Sequence, residues 1–251
     1  MTDRDWQIVR EVNRVRIASG EQLERLCFAS VATGRSRTAT RSRAVGRLVR
    51  WRVLAPIGRR IGGQERGSTA QVYALDTIGQ RLLAGDQLAA GAPIRVRRPG
   101  PPGVRSLRHL LAVAELYTQL VEQARTTGLE LVTFKAEPAA HWPDGKGGRL
   151  KPDAYAVLGK PGARDHWWIE VDLATESLPT VRAKLQTYLD FQRRGERDPG
   201  DVTPWVLVAT STECRRDAIR AMVRRLPEAA GLITIVTSGE AAQKMYLVLR
   251  E

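Results

Sequence analysis

The 251-residue chain lacks any apolar run close to the roughly 20 residues that cross a membrane; its longest apolar pieces are short, such as Trp205 to Ala209. That excludes a membrane partner of the spanning kind. Cysteine is scarce: Cys27 and Cys214 stand far apart, and the histidines His109, His141 and His166 are isolated from them and from each other. Neither a disulfide framework nor a zinc site is supported by such spacing. The opening Thr2-Asp3-Arg4-Asp5-Trp6 has no apolar stretch behind a basic start, so no secretory signal is expected and the cytoplasm is the expected compartment. Acids are missing from one region in particular, since Glu65 is the only Asp or Glu between Arg25 and Asp76.

What fills that region is arginine. The net charge is +13, and residues 1–106 carry 20 arginines against 8 acids, whereas residues 107–251 carry 20 basic residues against 19 acids. A general basic habit would spread the excess evenly; here it belongs to one end, and it points to a polyanion, double-stranded DNA above all. The stretch from Gly91 to Gly103 holds four prolines and three glycines. It cannot form a helix interior or a central strand. The expected organisation is therefore residues 1–90, a linker over 91–105 and a second domain over 106–251.

In the first part, Thr2 is placed to cap a helix whose apolar positions are Trp6, Val9, Val12 and Ile17. Ser19 caps a short second helix from Glu21 to Phe28. After a turn at Gly34, a third helix runs from about Thr38 to Trp51 with Val45, Leu48 and Val49 inward. Two extended pieces, Val53 to Ile61 and Ala70 to Leu75, flank a glycine-rich tip. Helix, helix, basic helix and hairpin is the order of a winged helix-turn-helix. Arginine can grip guanine or phosphate with two parallel hydrogen bonds, so Arg41, Arg43, Arg47 and Arg50 on the third helix, with Arg37 just before it, are candidate DNA contacts. Arg59, Arg60 and Arg66 on the hairpin are candidates for the neighbouring backbone. The alternative is a solvated charged face.

The second part alternates: a helix over 106–128, strands over 129–136, 150–158 and 167–173, and a helix from Pro179 to Arg194. A strand at Trp205–Thr210, a helix at Arg215–Arg225 and strands at Leu232–Val236 and Met245–Leu249 follow. This is an α/β domain with a mixed central sheet. Within strands otherwise written in apolar residues stand Asp153, Glu170 and Asp172. Alternation puts Glu170 and Asp172 on one face of their strand, and Lys151, Asp153 and Tyr155 on one face of theirs. Adjacent strands lie about 4.8 Å apart, so Asp153 and Glu170 can share one ion. Hard oxygen ligands suit Mg²⁺ or Mn²⁺, with the Val171 carbonyl as a further ligand. A salt-bridged structural set, with Lys151 or Lys184 as counter-ion, is the alternative.

Pro152-Asp153 on one strand and Glu170 on the next resemble the signature of the PD-(D/E)xK nuclease superfamily, whose core is helix, three-strand meander, helix, strand. The resemblance implies a catalytic set of Asp153, Glu170, Asp172, Lys184 and Lys151, and a metal set of Asp153, Glu170 and Glu115. One position departs from the pattern: Asp172 stands where the catalytic lysine belongs, and Lys184 or Lys151 is the replacement the resemblance suggests. Lys184-Leu185-Gln186-Thr187-Tyr188 is similar to a Gln-x-x-x-Tyr motif of one branch. More narrowly, the chain resembles the replication-relaxation proteins of bacterial plasmids and integrative elements. The pieces that carry this are Tyr73-Ala74-Leu75-Asp76-x-x-Gly79, His109-Leu110-x-x-x-x-Glu115, Lys151-Pro152-Asp153-Ala154, Glu170-Val171-Asp172-x-x-Thr175-Glu176 and Lys184-x-x-x-Tyr188. That resemblance implies a winged helix joined to a nuclease-like domain, acting in plasmid replication, relaxation or transfer beside the proteins of those processes. The functions to separate are a metal-dependent DNA endonuclease or nickase, a non-catalytic DNA-binding regulator, and an interaction domain without DNA contact.

Overall fold

The computed structural model describes residues 1–59, 71–85, 96–196, 201–226 and 231–250. They are α/β, and they fall into two compact units, Met1–Thr118 and Gln119–Glu251.

The first unit begins with α1 (Asp3–Val15), closed by a reciprocal cap. The Thr2 hydroxyl accepts from the Asp5 N–H at 3.2 Å, and the Asp5 carboxylate accepts from the Thr2 N–H at 2.9 Å. The buried stripe is Ile8, Val9, Val12 and Val15. Trp6 is only half-buried, and Ile17 is not in the helix at all. Arg16 turns left-handed at φ 70° and ends α1, so Ile17 opens a strand, β1 (Ile17–Ser19), that alternation over so few residues could not announce. Ser19 then caps α2 (Gly20–Cys27), with Gln22 completing the same reciprocal arrangement.

The third helix, α3 (Gly34–Arg50), starts a turn earlier than the sequence suggests. Thr33 accepts from the Ser36 N–H and makes Gly34 the first helical residue rather than a turn. Strands β2 (Leu54–Arg59) and β3 (Gln71–Leu75) pair antiparallel, and β1 adds to the other edge of β3, giving the order β1-β3-β2. Asp76 caps α4 (Thr77–Leu83), and Gly79 sits so close to the Val53 carbonyl that a Cβ there would lie 2.3 Å from its oxygen. The Asp76-x-x-Gly79 spacing is thus a cap followed by a close packing contact. Next comes α5 (Val104–Thr127), whose Leu107, Leu110 and Leu111 pack with Ile17, Ala55, Ile57, Val72 and Ala74. Because of that packing, the division between units falls inside α5 at Thr118/Gln119, not in the proline-rich stretch. Of the expected linker, residues 91–95 lie outside the described residues. Arg97 in its remainder is held at both backbone groups by the Gln80 side chain, at 2.6 and 3.1 Å.

The second unit is built on a mixed five-stranded sheet of order β10-β9-β8-β7-β4. Its strands are β4 (Glu130–Ala136), β7 (Ala154–Lys160), β8 (Ala163–Asp172), β9 (Trp205–Thr210) and β10 (Ile233–Thr237), with a small ladder of β5 (Trp142–Pro143) and β6 (Arg149–Leu150) apart. β4, β7 and β8 form an antiparallel meander; β9 runs parallel to β8 and β10 parallel to β9. The expected strand over 150–158 is broken at Pro152, which cannot donate to the ladder. On one face Trp168 packs against Tyr188 and Phe191 of α6 (Leu178–Arg193), with Ile219 and Val223 of α7 (Glu213–Val223) in the same cluster. Trp167 points to the other face and meets Trp205. The two tryptophans are 0% and 1% exposed, one per face, as packing residues should be.

The expected strand at Met245–Leu249 is instead the helix α8 (Ala241–Arg250). Its buried residues are Ala241, Ala242, Met245, Tyr246 and Leu249, a spacing of one helical turn. The run of apolar residues there obscured the period.

Candidate functional site

In β8, Trp168 and Glu170 point to the face that α6 covers. Register pairs Ala154 with Ile169, and one step further along the same ladder sets Asp153 opposite Glu170. Proline at 152 ends β7 there, and the Asp153 carboxylate accepts from the Val171 N–H at 2.7 Å. Asp153 is 8% exposed and Glu170 5%. Two carboxylates are therefore held together in an apolar sheet, one anchored by a backbone donor.

α6 supplies the balancing groups. Ser177 caps it and Pro179 sits in its first turn. Residues 184 and 188 are one turn apart and both face the sheet. The Lys184 ammonium donates to Glu170 Oε2 at 2.8 Å, and the Tyr188 hydroxyl donates to Oε1. Glu176 lies 3.9 Å from the same ammonium. Burial, followed by the negative charge of Asp153, pushes the Glu170 carboxyl up to about 7, against the opposing pull of Lys184 and Tyr188. For Lys184, burial acts downward, but Glu170, Asp153 and Glu176 outweigh it and hold the ammonium charged. Burial and the Glu170 charge push the Tyr188 hydroxyl well up, so it stays a donor. A cleft of about 20 Å³, room for one water, opens between Glu170, Asp172, Glu176 and Lys184.

Asp172 is two residues from Glu170 and has a separate partner. Arg215 of α7 grips it through two bonds of 2.9 Å and also donates to the Glu176 carbonyl at 2.7 Å. Asp172 thus forms half of an ion pair that ties the β8–α6 loop to α7. Lys151 is exposed beside the Pro152 break. Glu115 belongs to the first unit, where it accepts from Arg25 at 2.7 Å and Gln22 at 3.2 Å. So the structure brings Asp153, Glu170 and Lys184 together, while Asp172 and Glu115 are committed elsewhere. Among the described residues no group of three or more His, Cys, Asp or Glu is arranged to hold a metal ion.

A family model for replication-relaxation proteins matches residues 9–205. The chain belongs to the replication-relaxation family. The matched span of this replication-relaxation protein reaches into both units and includes Asp153, Glu170 and Lys184, but ends before Arg215. Comparison with curated proteins gives no match, and comparison with solved structures gives none either. No helix among the described residues is long and apolar enough to cross a membrane.

The arginines of the first unit divide sharply. Arg41 is 0% exposed, its guanidinium turned inward onto Glu24 at 3.0 Å, so it braces α3 against α2 and cannot reach a groove. Arg47 donates to the buried Asp5 at 2.6 Å and lies over the Trp51 ring. Arg37 is half-buried and reaches the Val31 carbonyl. Arg43 and Arg50 are exposed. The Arg59 side chain, Arg60 and Arg66 lie outside the described residues.

Sequence reasoning assigned no role to Arg35, exposed in the first turn of α3; the Thr33 cap was the signal that would have found it. It also gave Tyr188 no role, although its spacing from Lys184 puts both on one face. No local signal links Arg215 to Asp172, which is 43 residues away.

Proposed function

We propose that this family member binds duplex DNA through its first unit, a winged helix-turn-helix, and cleaves it with Mg²⁺ or Mn²⁺ at Asp153 and Glu170 in its second. The observation that carries the reading is the juxtaposition of Asp153 and Glu170 on adjacent strands, with Lys184 2.8 Å from Glu170. Three helices followed by β2 and β3, with β1 on the free edge of β3, support the first part, as does the arginine excess of residues 1–106. The helix, antiparallel meander, helix and parallel strand from α5 to β9 support the second, because that is the order of the PD-(D/E)xK core.

The donor set fits a small hard cation. Mg²⁺ is commonly held by one or two carboxylates and several waters, and the Val171 carbonyl is a further candidate. Such an ion would polarise the scissile phosphate and acidify a bound water. Asp153 is oriented for the task by the Val171 N–H. Tyr188 fixes one oxygen of Glu170. Lys184 has donors beyond the one it gives Glu170, and these can stabilise charge on a phosphate oxygen. It stands in for the lysine that Asp172 replaces.

A non-catalytic DNA-binding regulator is the second reading. It is favoured by the Asp172–Arg215 pair and by the closure of Glu170 with Lys184 and Tyr188. The partners in either case are double-stranded DNA and proteins of plasmid replication or transfer. Supercoiled plasmid separates the readings. The nuclease predicts Mg²⁺- or Mn²⁺-dependent nicking that Glu170→Gln abolishes and Lys184→Ala reduces at least 100-fold. Retarded migration without any cleavage, at any metal concentration, favours the regulator.

A further inference from the structure

The outer face of α3 carries an oddity in its backbone. Ala44, Val45, Leu48 and Arg41 are buried, and the opposite side presents Arg35, Arg43 and Arg50, all exposed. Intervals of eight and seven residues keep these arginines on one side of the helix, about 12 and 10 Å apart along its axis. No acid occurs anywhere in α3. Between Arg43 and Arg50, on that same side, stands Gly46.

A glycine inside a helix weakens it relative to alanine. The usual internal reasons do not apply here. Gly46 is not among the residues with left-handed φ. A Cβ built on it meets no atom within 4 Å among the described residues. Gly79 of α4 is the contrast, because there the Val53 carbonyl leaves no room for a side chain. Among the described residues of the first unit, nothing asks for glycine at 46.

We propose that Gly46 is the point of closest approach between α3 and duplex DNA, with Arg35, Arg43 and Arg50 contacting phosphates on either side of it. The inference rests on the DNA-binding reading above and names the face that does the binding. A bare stretch of helix lets a base edge or sugar come into van der Waals contact with the backbone. The flanking guanidiniums have the reach and geometry to grip phosphate oxygens in pairs. Arg43, which now lies along its own helix against the Ala39 carbonyl and the Thr40 hydroxyl at 3.4 Å each, gives up only weak contacts to do so. Arg41 and Arg47 stay on Glu24 and Asp5 and hold the helix in place.

The test uses the full chain and a short duplex of mixed sequence, with affinity measured by fluorescence anisotropy over a range of salt. Gly46→Ala raises the melting temperature by about 2 °C, and Gly46→Leu folds without loss. Gly46→Leu weakens DNA binding about tenfold or more and leaves the salt slope unchanged, since it removes no cation. Arg43→Ala and Arg50→Ala each weaken binding and reduce the salt slope by about one. If Gly46→Leu binds like the wild type while the arginine variants weaken, there is no close approach and the inference is overturned. If the arginine variants also bind normally, this is not the binding face, which overturns it as well. A wild type that fails to bind duplex DNA even at low salt sinks the DNA reading itself, and the inference with it.

Discussion

Asp5 and Arg41 in the first unit and Asp153 and Glu170 in the second are all buried, yet their neighbours differ in sign. Arg41 meets Glu24, and Asp5 meets Arg47 and its own helix N-terminus. Burial pushes the Asp5 carboxyl up, but the bonds from Thr2 and Arg47 prevail and it sits below the usual carboxylate range. Glu170 is pushed up to about 7, first by burial and then by the like charge of Asp153 across the strand pair. A buried charge with an opposite partner is a packing device. A buried pair of like charges leaves a deficit, which Lys184 and Tyr188 offset only in part at Glu170. That contrast separates framework from site more reliably than burial does, since by exposure alone all these residues look the same.

The sharpest way to break the comparison is to remove one side of a framework ion pair. Glu24→Ala removes the carboxylate that pairs with the buried Arg41 at 3.0 Å and is expected to cost about 3 kcal/mol of stability in a denaturant titration. A cost below about 1 kcal/mol would mean that Arg41 relaxes outward, and the framework reading of that pair would fail.

Glu170→Gln should do the opposite. The folded protein holds the Glu170 proton more tightly than the unfolded chain, whose value is 4.5. The associated stability is therefore fully present below about 4.5 and is lost as pH rises through about 7. In the absence of metal, the glutamine variant is expected to gain about 1–3 kcal/mol above pH 7 and to lose the pH dependence in that window. Chemical denaturation at pH 5 and pH 8 checks both. Equal stability of the two proteins at pH 8 would show that Lys184 already offsets the deficit.

Asp172 is on the same strand and face but carries the framework pattern. Asp172→Asn forfeits the paired bonds to Arg215, which hold the loop before α6, and is expected to cost about 1–2 kcal/mol with no gain at any pH. A stabilising Asp172→Asn would put Asp172 back in the site.

How much of this the sequence disclosed depends on the range of the interactions. Capping is local, so Thr2 and Ser19 were legible as helix starts. Alternation is local too, and it put Asp153 and Glu170 within reach of one another on neighbouring strands. Where an element was too short or too uniformly apolar, the pattern failed, as with β1 and with Met245–Leu249. Outward and inward arginines could not be told apart by composition. The fate of Arg41 was decided by Glu24, a residue on another helix, and that of Asp172 by Arg215, 43 residues further along the chain. Neither pairing leaves a periodic trace.

The central claim is that Asp153 and Glu170 form a cation site, and isothermal titration of Mn²⁺ into the metal-free full-length protein tests it most directly. One ion should bind the wild type and Lys184→Ala, and binding should be lost in both Asp153→Asn and Glu170→Gln. A wild type that takes up no Mn²⁺ at millimolar concentration, or a Glu170→Gln protein that binds it unchanged, would contradict the account.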